Sequence, residues 1–485
     1  MAATMPLGTP AAVAPPVTPR LSRAVWIYTV IVVVGFAYFL VDLPVQVTDC
    51  FGNMRNAARG TLFDVVYREF FQQAYLRPFL WAHIKVLQDL SGGAYTVTFR
   101  GWHVIQVALL VLLFLRIVKP RDLSAAAAVP VGLAILLGMH TFAGTVREAF
   151  PVNTFMTILL CCYAALALAL GPPRWWRDVA SAALLIFASL TVESGLLVWV
   201  VLVSAWLVGA RGVSRTGVLV QMVLLAGYFV LRFGVLHIGS PGLEERSSGF
   251  GFSSRDPAEL IASFGGNPLP FYAYNVVSSA LSVVFGEPRG GVWLVTRDAL
   301  DGRYFTPMSV EVLACTLGAI FVARFVWVRR HEWIARRFDR DDQIVFTFFG
   351  VTAANAVISF PYTKDVIMSP GGVFFAAAVC VALRDALLAV NRASLARACV
   401  WAVLVALLST SWALRVVAMH YGLRTAAAAQ RGEWAYVDGW LEREHQVLTD
   451  PADVALKNQL QREAVYDRQA RPALQGDWFH WFESE

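Results

Sequence analysis

The sequence predicts an all-α, polytopic membrane protein with about eleven transmembrane helices, and three observations carry that reading. Of its 485 residues, 57% are hydrophobic and only 15% charged, whereas soluble domains hold about 45–50% apolar and about 25% charged residues. The apolar residues gather into runs of roughly twenty, the length of helix that crosses a bilayer core. The Lys and Arg residues of the short connections alternate between rich and poor along the chain, which is the mark of membrane orientation. The composition therefore argues against a soluble enzyme.

Residues 1–22, rich in Ala, Pro and Thr, read as a disordered cytoplasmic tail. The run Ala24 to Val41 has no small-residue cleavage site after it and reads as a retained first span. Further runs lie at 101–118, 125–143, 152–170, 178–192, 195–210, 216–238, 308–328, 343–360, 370–390 and 396–418. The two flanking Glu193 could equally form one long helix. Residues 23–418 thus form the transmembrane domain, interrupted by long loops 44–99 and 239–307, with a tail at 419–485.

In the first loop Phe63, Val66, Phe70 and Phe71 recur at helical spacing, which predicts an amphipathic helix lying in the membrane interface. The second loop is rich in Gly, Ser and Pro, with aromatic clusters, and reads as a mobile lid. The tail, with Trp434, Trp440, Trp478 and Trp481 among many charges, predicts short amphipathic helices.

Basic residues of the short connections collect on one side: Arg20 and Arg23, Lys119 and Arg121, Arg174 and Arg177, Arg211 and Arg215, Arg329 to Arg340, Arg384 to Arg397. The other side has only Arg147 and Lys364 in its short connections. This places the N-terminus in the cytoplasm and both long loops and the C-terminus in the periplasm of a bacterial inner membrane. The net charge of +6 belongs to this pattern and implies no nucleic-acid partner. Five of the six cysteines lie in apolar runs and Cys50 in a loop, so no disulfide scaffold and no metal-ligand spacing emerges. The cofactor stays unassigned: a divalent metal is chemically admissible, and no cluster demands one.

Polar residues at span ends invite a functional reading because burying them in lipid costs free energy. They concentrate on the periplasmic side: Asp49, Tyr75, Arg77, His83, Lys85, His103, His140, Arg147, Glu148, Glu193 and Lys364. Each has a plainer reading too. Arg77-Pro78 can end an interfacial helix with Arg77 snorkelling to lipid phosphates, the histidines can be packing residues, and Lys364 can be an interfacial anchor.

Their order along the chain resembles the GT-C fold glycosyltransferases, especially the protein O-mannosyltransferase-like and TMTC-like branch. An acid after the first span, Asp49, is followed by Tyr75-Leu76-Arg77-Pro78; next come Trp102-His103 opening a span and Met139-His140-Thr141 continuing to Arg147-Glu148. Then follow Val192-Glu193-Ser194-Gly195 and Lys364-Asp365 leading to Ser369-Pro370. The chain departs from the family in keeping one acid at Asp49, in His140-Thr141 where the family has His-Pro, in Val192 before Glu193, and in Lys364-Asp365 before the late Pro.

The resemblance implies a sugar donor carried on polyprenyl phosphate and a periplasmic acceptor that is a glycan, lipid or protein. It implies inverting transfer, with Asp49 as the catalytic base. Arg77, Lys364 and Arg147 would hold the donor phosphate, with Lys85 and Arg303 behind them. Glu148, Glu193, Tyr75, His103 and His140 would serve the acceptor or orient the cations. The competing expectations are a transporter or flippase of lipid-linked sugars, a periplasmic polysaccharide polymerase or ligase, and a non-catalytic membrane scaffold.

Overall fold

The structure, a computed structural model, describes residues 19–43, 50–71, 75–120, 122–147, 154–238, 257–286, 291–304, 306–390, 394–429 and 448–470. Its elements are helices, with no strand among the described residues. Seven helices are long and apolar enough to cross a membrane, or eight if one bent pair counts as a single span. That makes the chain compatible with a polytopic membrane protein.

The helices are α1 (Pro19–Asp42), α2 (Cys50–Ala58), α3 (Leu62–Phe71), α4 (Pro78–Ser91), α5 (Tyr95–Val118), α6 (Leu123–Gly138), α7 (His140–Arg147) and α8 (Thr154–Ala169). They continue with α9 (Trp175–Ser189), α10 (Leu197–Leu207), α11 (Arg215–Phe229), α12 (Pro257–Ser263), α13 (Pro268–Phe285) and α14 (Gly291–Leu300). The last are α15 (Pro307–Ile334), α16 (Arg340–Ile358), α17 (Ser369–Val390), α18 (Leu395–Ala429) and α19 (Pro451–Ala470).

At the centre lies α17, whose run Gly371-Gly372-Val373-Phe374-Phe375-Ala376-Ala377-Ala378 is buried throughout. Lipid tails are as apolar as Leu, so association inside a bilayer depends on close packing, and small residues allow it. Here they do: a Cβ on Gly132 of α6 would stand 2.9 Å from Cys380 Cβ, and one on Gly318 of α15 would stand 2.9 Å from Phe375 Cζ. Tyr163 of α8 adds a buried hydrogen bond, its hydroxyl donating to the Val373 carbonyl at 2.5 Å.

Contacts between helix ends sort the connections into two groups. At one end Arg340 donates to the carbonyls of Ile117 at 3.0 Å and Leu170 at 2.9 Å, and Arg384 pairs with Asp122 at 2.8 Å. Gln343 donates to the Val208 carbonyl there at 3.2 Å. At the opposite end Arg100 donates to the carbonyls of Leu43 at 3.2 Å and Val146 at 3.4 Å. The arginine-rich connections therefore share one end, hereafter the basic end.

Four expectations need correcting. The N-terminal segment expected to be disordered through residue 22 is helical from Pro19, where α1 begins, and the boundary at 418 falls inside one continuous helix, α18. The span expected at 125–143 breaks into α6 and α7, bent by 62°. The bend lies at Met139, whose backbone is extended and whose carbonyl accepts from Phe142 N at 2.8 Å.

The second long loop is largely helical where described, not a lid of irregular chain. Its serines misled: in α13 Ser282 bonds back to the Ser279 carbonyl at 2.7 Å, which satisfies its hydroxyl inside a helix. This helix is itself long and apolar enough to cross a membrane. Its partners nevertheless lie at one end of the bundle: Asn275 donates to the Phe360 carbonyl at 2.9 Å and Ser279 meets Thr363 at 2.8 Å.

The pair around Glu193 is two helices. The chain turns back so closely that a Cβ on Gly195 would lie 2.0 Å from the Ala188 carbonyl oxygen. Gly195→Ala should therefore force a backbone shift and destabilise the protein by about 1–3 kcal/mol. Gly227→Ala, with nothing within 4 Å of the new methyl, should be neutral or slightly stabilising, because Gly weakens a helix interior. Thermal unfolding of both variants in detergent checks the contrast; equal stability would mean the turn at Gly195 has room.

Candidate functional site

The end opposite the basic end holds a cavity of about 340 Å³ whose lining includes Tyr75, Arg77, Glu193, Arg232, Tyr362 and Lys364. Arg77 is the residue before α4, and Pro78 at the first helical position fixes the chain's entry. Its guanidinium straddles Glu193, with Nη2 at 2.6 Å and Nε at 3.1 Å from Oε2. Arg232 approaches the other carboxylate oxygen at 3.3 Å. Glu193 therefore holds two guanidiniums side by side.

Arg232 lies in the π-helical stretch Val230–Val235 that ends the α11 rod, and it donates to the Tyr228 hydroxyl at 2.9 Å. Such stretches re-aim side chains and recur at functional sites. Aromatic faces steady two of the cations: Arg77 Cζ lies 4.4 Å from the Tyr75 ring centre and Lys364 Nζ 5.1 Å from that of Tyr362. Burial works to raise the Glu193 carboxyl, but Arg77 and then Arg232 hold it below the usual carboxylate range. Three cations thus face one ionised carboxylate on the cavity wall, leaving an excess of positive charge. Leu80, Phe155, Ile358 and Ile367 give the same wall an apolar part. An amphiphile with an anionic head matches that division.

A second polar cluster lies behind the turn that carries Lys364. His140, at the bend between α6 and α7, has Nδ1 2.9 Å from Glu311 Oε1, and the same oxygen lies 2.9 Å from Arg415. On the other side of the ring Nε2 is 3.9 Å from Asp365. Residues 364 and 365 therefore serve two neighbouring sites from one turn. Gly144 allows it: a Cβ there would lie 2.6 Å from Val366 Cβ.

The loop that contributes Arg77 is held from above by the chain's last described helix. Asp453 of α19 is buried and pairs with Arg55 at 2.6 Å and with Arg59. Leu456 and Leu460 join Phe51, Met54, Ile84 and Leu87 in a separate apolar cluster. Gln459 donates to the Gly93 carbonyl. Thus α2, α4 and α19 form one packed unit over this end of the bundle.

Of the residues singled out from sequence, Tyr75, Arg77, Glu193 and Lys364 come together. His140 belongs to the neighbouring cluster. His103 is buried in α5 and does not line the cavity. Lys85 pairs along its own helix with Asp89 at 2.6 Å, and Arg303 pairs with Asp298 at 2.8 Å, so neither contributes to the cavity. Asp49 and Glu148 lie outside the described residues, as does the side chain of Arg147. Arg232, Glu311 and Arg415 were missed. Each is an ionisable residue inside an apolar run, which is itself a signal of function.

Among the described residues no group of three or more His, Cys, Asp or Glu side chains is arranged to hold a metal ion. Comparison with protein-family models, curated proteins and solved structures gives no match for this chain.

His83 of α4 shows how the loop unit responds to acid. It is largely enclosed, with its ring edge-on to Trp102 at 5.5 Å, and burial pushes its imidazole down to about 4. The folded state then binds this proton less readily than the unfolded chain, whose His titrates near about 6.5. Stability should be intact above pH ~6.5 and fall by up to about 3 kcal/mol as pH drops toward ~4. His83→Gln should flatten that part of the curve; an unchanged pH dependence of thermal unfolding would place the acid-sensitive group elsewhere.

Proposed function

We propose that this chain is a membrane glycosyltransferase that moves a sugar from a polyprenyl-phosphate donor to a periplasmic glycan, lipid or protein acceptor with inversion. The observation that carries the reading is the convergence of Arg77, Arg232 and Lys364 on one partly apolar cavity. These cations suit the phosphate of a lipid-linked donor, and Leu80, Phe155 and Ile367 suit the first units of its chain. As the acceptor hydroxyl attacks the anomeric carbon, the bond from that carbon to the phosphate oxygen breaks. Negative charge then grows on the lipid phosphate, where preorganised cations are most effective.

A base must take the acceptor's proton, and Asp49 is the residue we assign. It directly precedes Cys50, the first residue of the α2 that α19 holds in place. Glu193 acts here as a positioning residue, because its carboxylate is committed to two arginines. The basic end faces the cytoplasm in this reading, eleven helices span the bilayer, and α13 rests on the periplasmic end. The membrane is then a bacterial inner membrane, with the C-terminus in the periplasm.

A second reading is a carrier of lipid-linked sugars, favoured by the buried His140–Glu311–Arg415 cluster, since titratable groups enclosed between helices also mark transport paths. A transfer assay separates the two. With labelled polyprenyl-phosphate sugar in membranes, the wild type should glycosylate an acceptor, and Asp49→Asn should lose about 10²–10⁴ in rate while still binding donor. Lys364→Gln should weaken donor binding by about 1.5–3 kcal/mol. Donor movement across the bilayer without transfer would favour the carrier, and full activity in Asp49→Asn would exclude Asp49 as the base.

Topology gives an independent check. Reporter tags at the N-terminus and within 329–342 should report cytoplasm, and a tag at the C-terminus should report periplasm. A cytoplasmic C-terminus would remove the eleven-span arrangement and take α19 away from the donor.

A further inference from the structure

We propose that a groove between α1 and α5 at the basic end binds an anionic phospholipid, one acyl chain lying in the groove and the phosphate on Arg116 and Lys119. The groove encloses about 560 Å³ and is walled by Val25, Trp26, Leu109, Leu112 and Leu113, with Arg116 and Lys119 at its polar limit. It lies at the opposite end of the bundle from the donor cavity and plays no part in the proposed transfer.

Several observations select this occupant. The walls are apolar and outward-facing: Trp26 is 49% exposed and Leu112 44%, so in a bilayer they meet lipid. An acyl chain fits such a wall, and the indole of Trp26 suits the headgroup level. The arrangement of charge then asks for an anion. Among the described residues Arg116 forms no ion pair, and its backbone carbonyl already accepts from Arg340 at 3.3 Å.

Arg174 and Arg177 lie close by. Burial, and then the proximity of Arg116 and Arg174, hold the Arg177 guanidinium below its ordinary value. Lys119 ends α5 in the left-handed region with φ 45°, a conformation a non-glycine residue rarely adopts. There its amide donates to the Leu115 carbonyl, closing the helix at the mouth of the groove. Basic pockets between membrane helices on the cytoplasmic side recruit anionic headgroups in this manner.

The test uses the full-length chain in nanodiscs of mixed phosphatidylglycerol and phosphatidylcholine, with retained lipids counted by native mass spectrometry. The wild type should retain phosphatidylglycerol in preference. Arg116→Gln with Lys119→Gln should reduce that preference roughly 10- to 30-fold while leaving phosphatidylcholine retention unchanged. Leu112→Trp, which fills the groove, should lower retention of both lipids, and equal melting temperatures confirm that the variants fold. Undiminished phosphatidylglycerol preference in the double Gln variant would overturn the proposal. So would competition by soluble glycerol phosphate as effective as that of the lipid, which would show a headgroup site with no role for the chain. Neither readout involves sugar transfer, so the result stands apart from the fate of the glycosyltransferase reading.

Discussion

Everything at the cavity depends on how closely helices approach α17. Gly371 and Gly372 at its start leave no side chain between it and its neighbours, and a Cβ on Gly372 would lie 2.1 Å from the Thr141 hydroxyl. That approach presses the turn Asp365–Met368 against α7 and fixes the direction in which Lys364 leaves the chain. Overpacking at such a point cannot be relieved locally, because the neighbouring helices are themselves packed on both sides. The position of a surface lysine is thus set by a buried stripe of small residues.

The cavity's charge is assembled from segments far apart in sequence. Residues 77, 193, 232 and 364 come from the first loop, a turn between helices, the end of α11 and the turn before α17. Two guanidiniums would repel each other and separate in water. Glu193 prevents this by giving each a carboxylate oxygen, at 2.6 Å for Arg77 and 3.3 Å for Arg232. Because the carboxylate is shared, its negative charge does not cancel the site, and the excess remains for a ligand. Removing one partner from a buried pair usually costs far more than the pair contributes, since the other charge is left unanswered. Glu193 is accordingly the residue on which the geometry of both arginines rests.

Much of this was legible in the sequence, and the limits have physical causes. Apolar runs located the long helices because hydropathy reports burial in lipid directly, and the arginine-rich connections do share one end. Arg77, Glu193 and Lys364 could be read because charged residues beside apolar runs are conspicuous. The bend at Met139 could not, since an extended residue between two apolar helices leaves no compositional trace and Pro130 nearby sits within an unbroken α6. Nor could α13, where Ser282 bonds back to its own helix. Arg232 and the His140–Glu311–Arg415 chain needed three-dimensional structure to show that charges from α7, α15 and α18 answer one another.

The two ends of the bundle obey one electrostatic rule with different outcomes. At the basic end most arginines are answered, by helix carbonyls in the case of Arg340 and by Asp122 and Asp341 in the case of Arg384. Those contacts tie helix ends together. Arg116 and the cavity cations differ, because their positive charge exceeds the acids facing them. A charge kept in excess beside an apolar wall gains most from an anion that brings its own apolar chain, since headgroup and tail are then satisfied at once. The proposed lipid-linked donor and the proposed phospholipid share that construction, so the two proposals draw on one chemistry at opposite ends of the bundle.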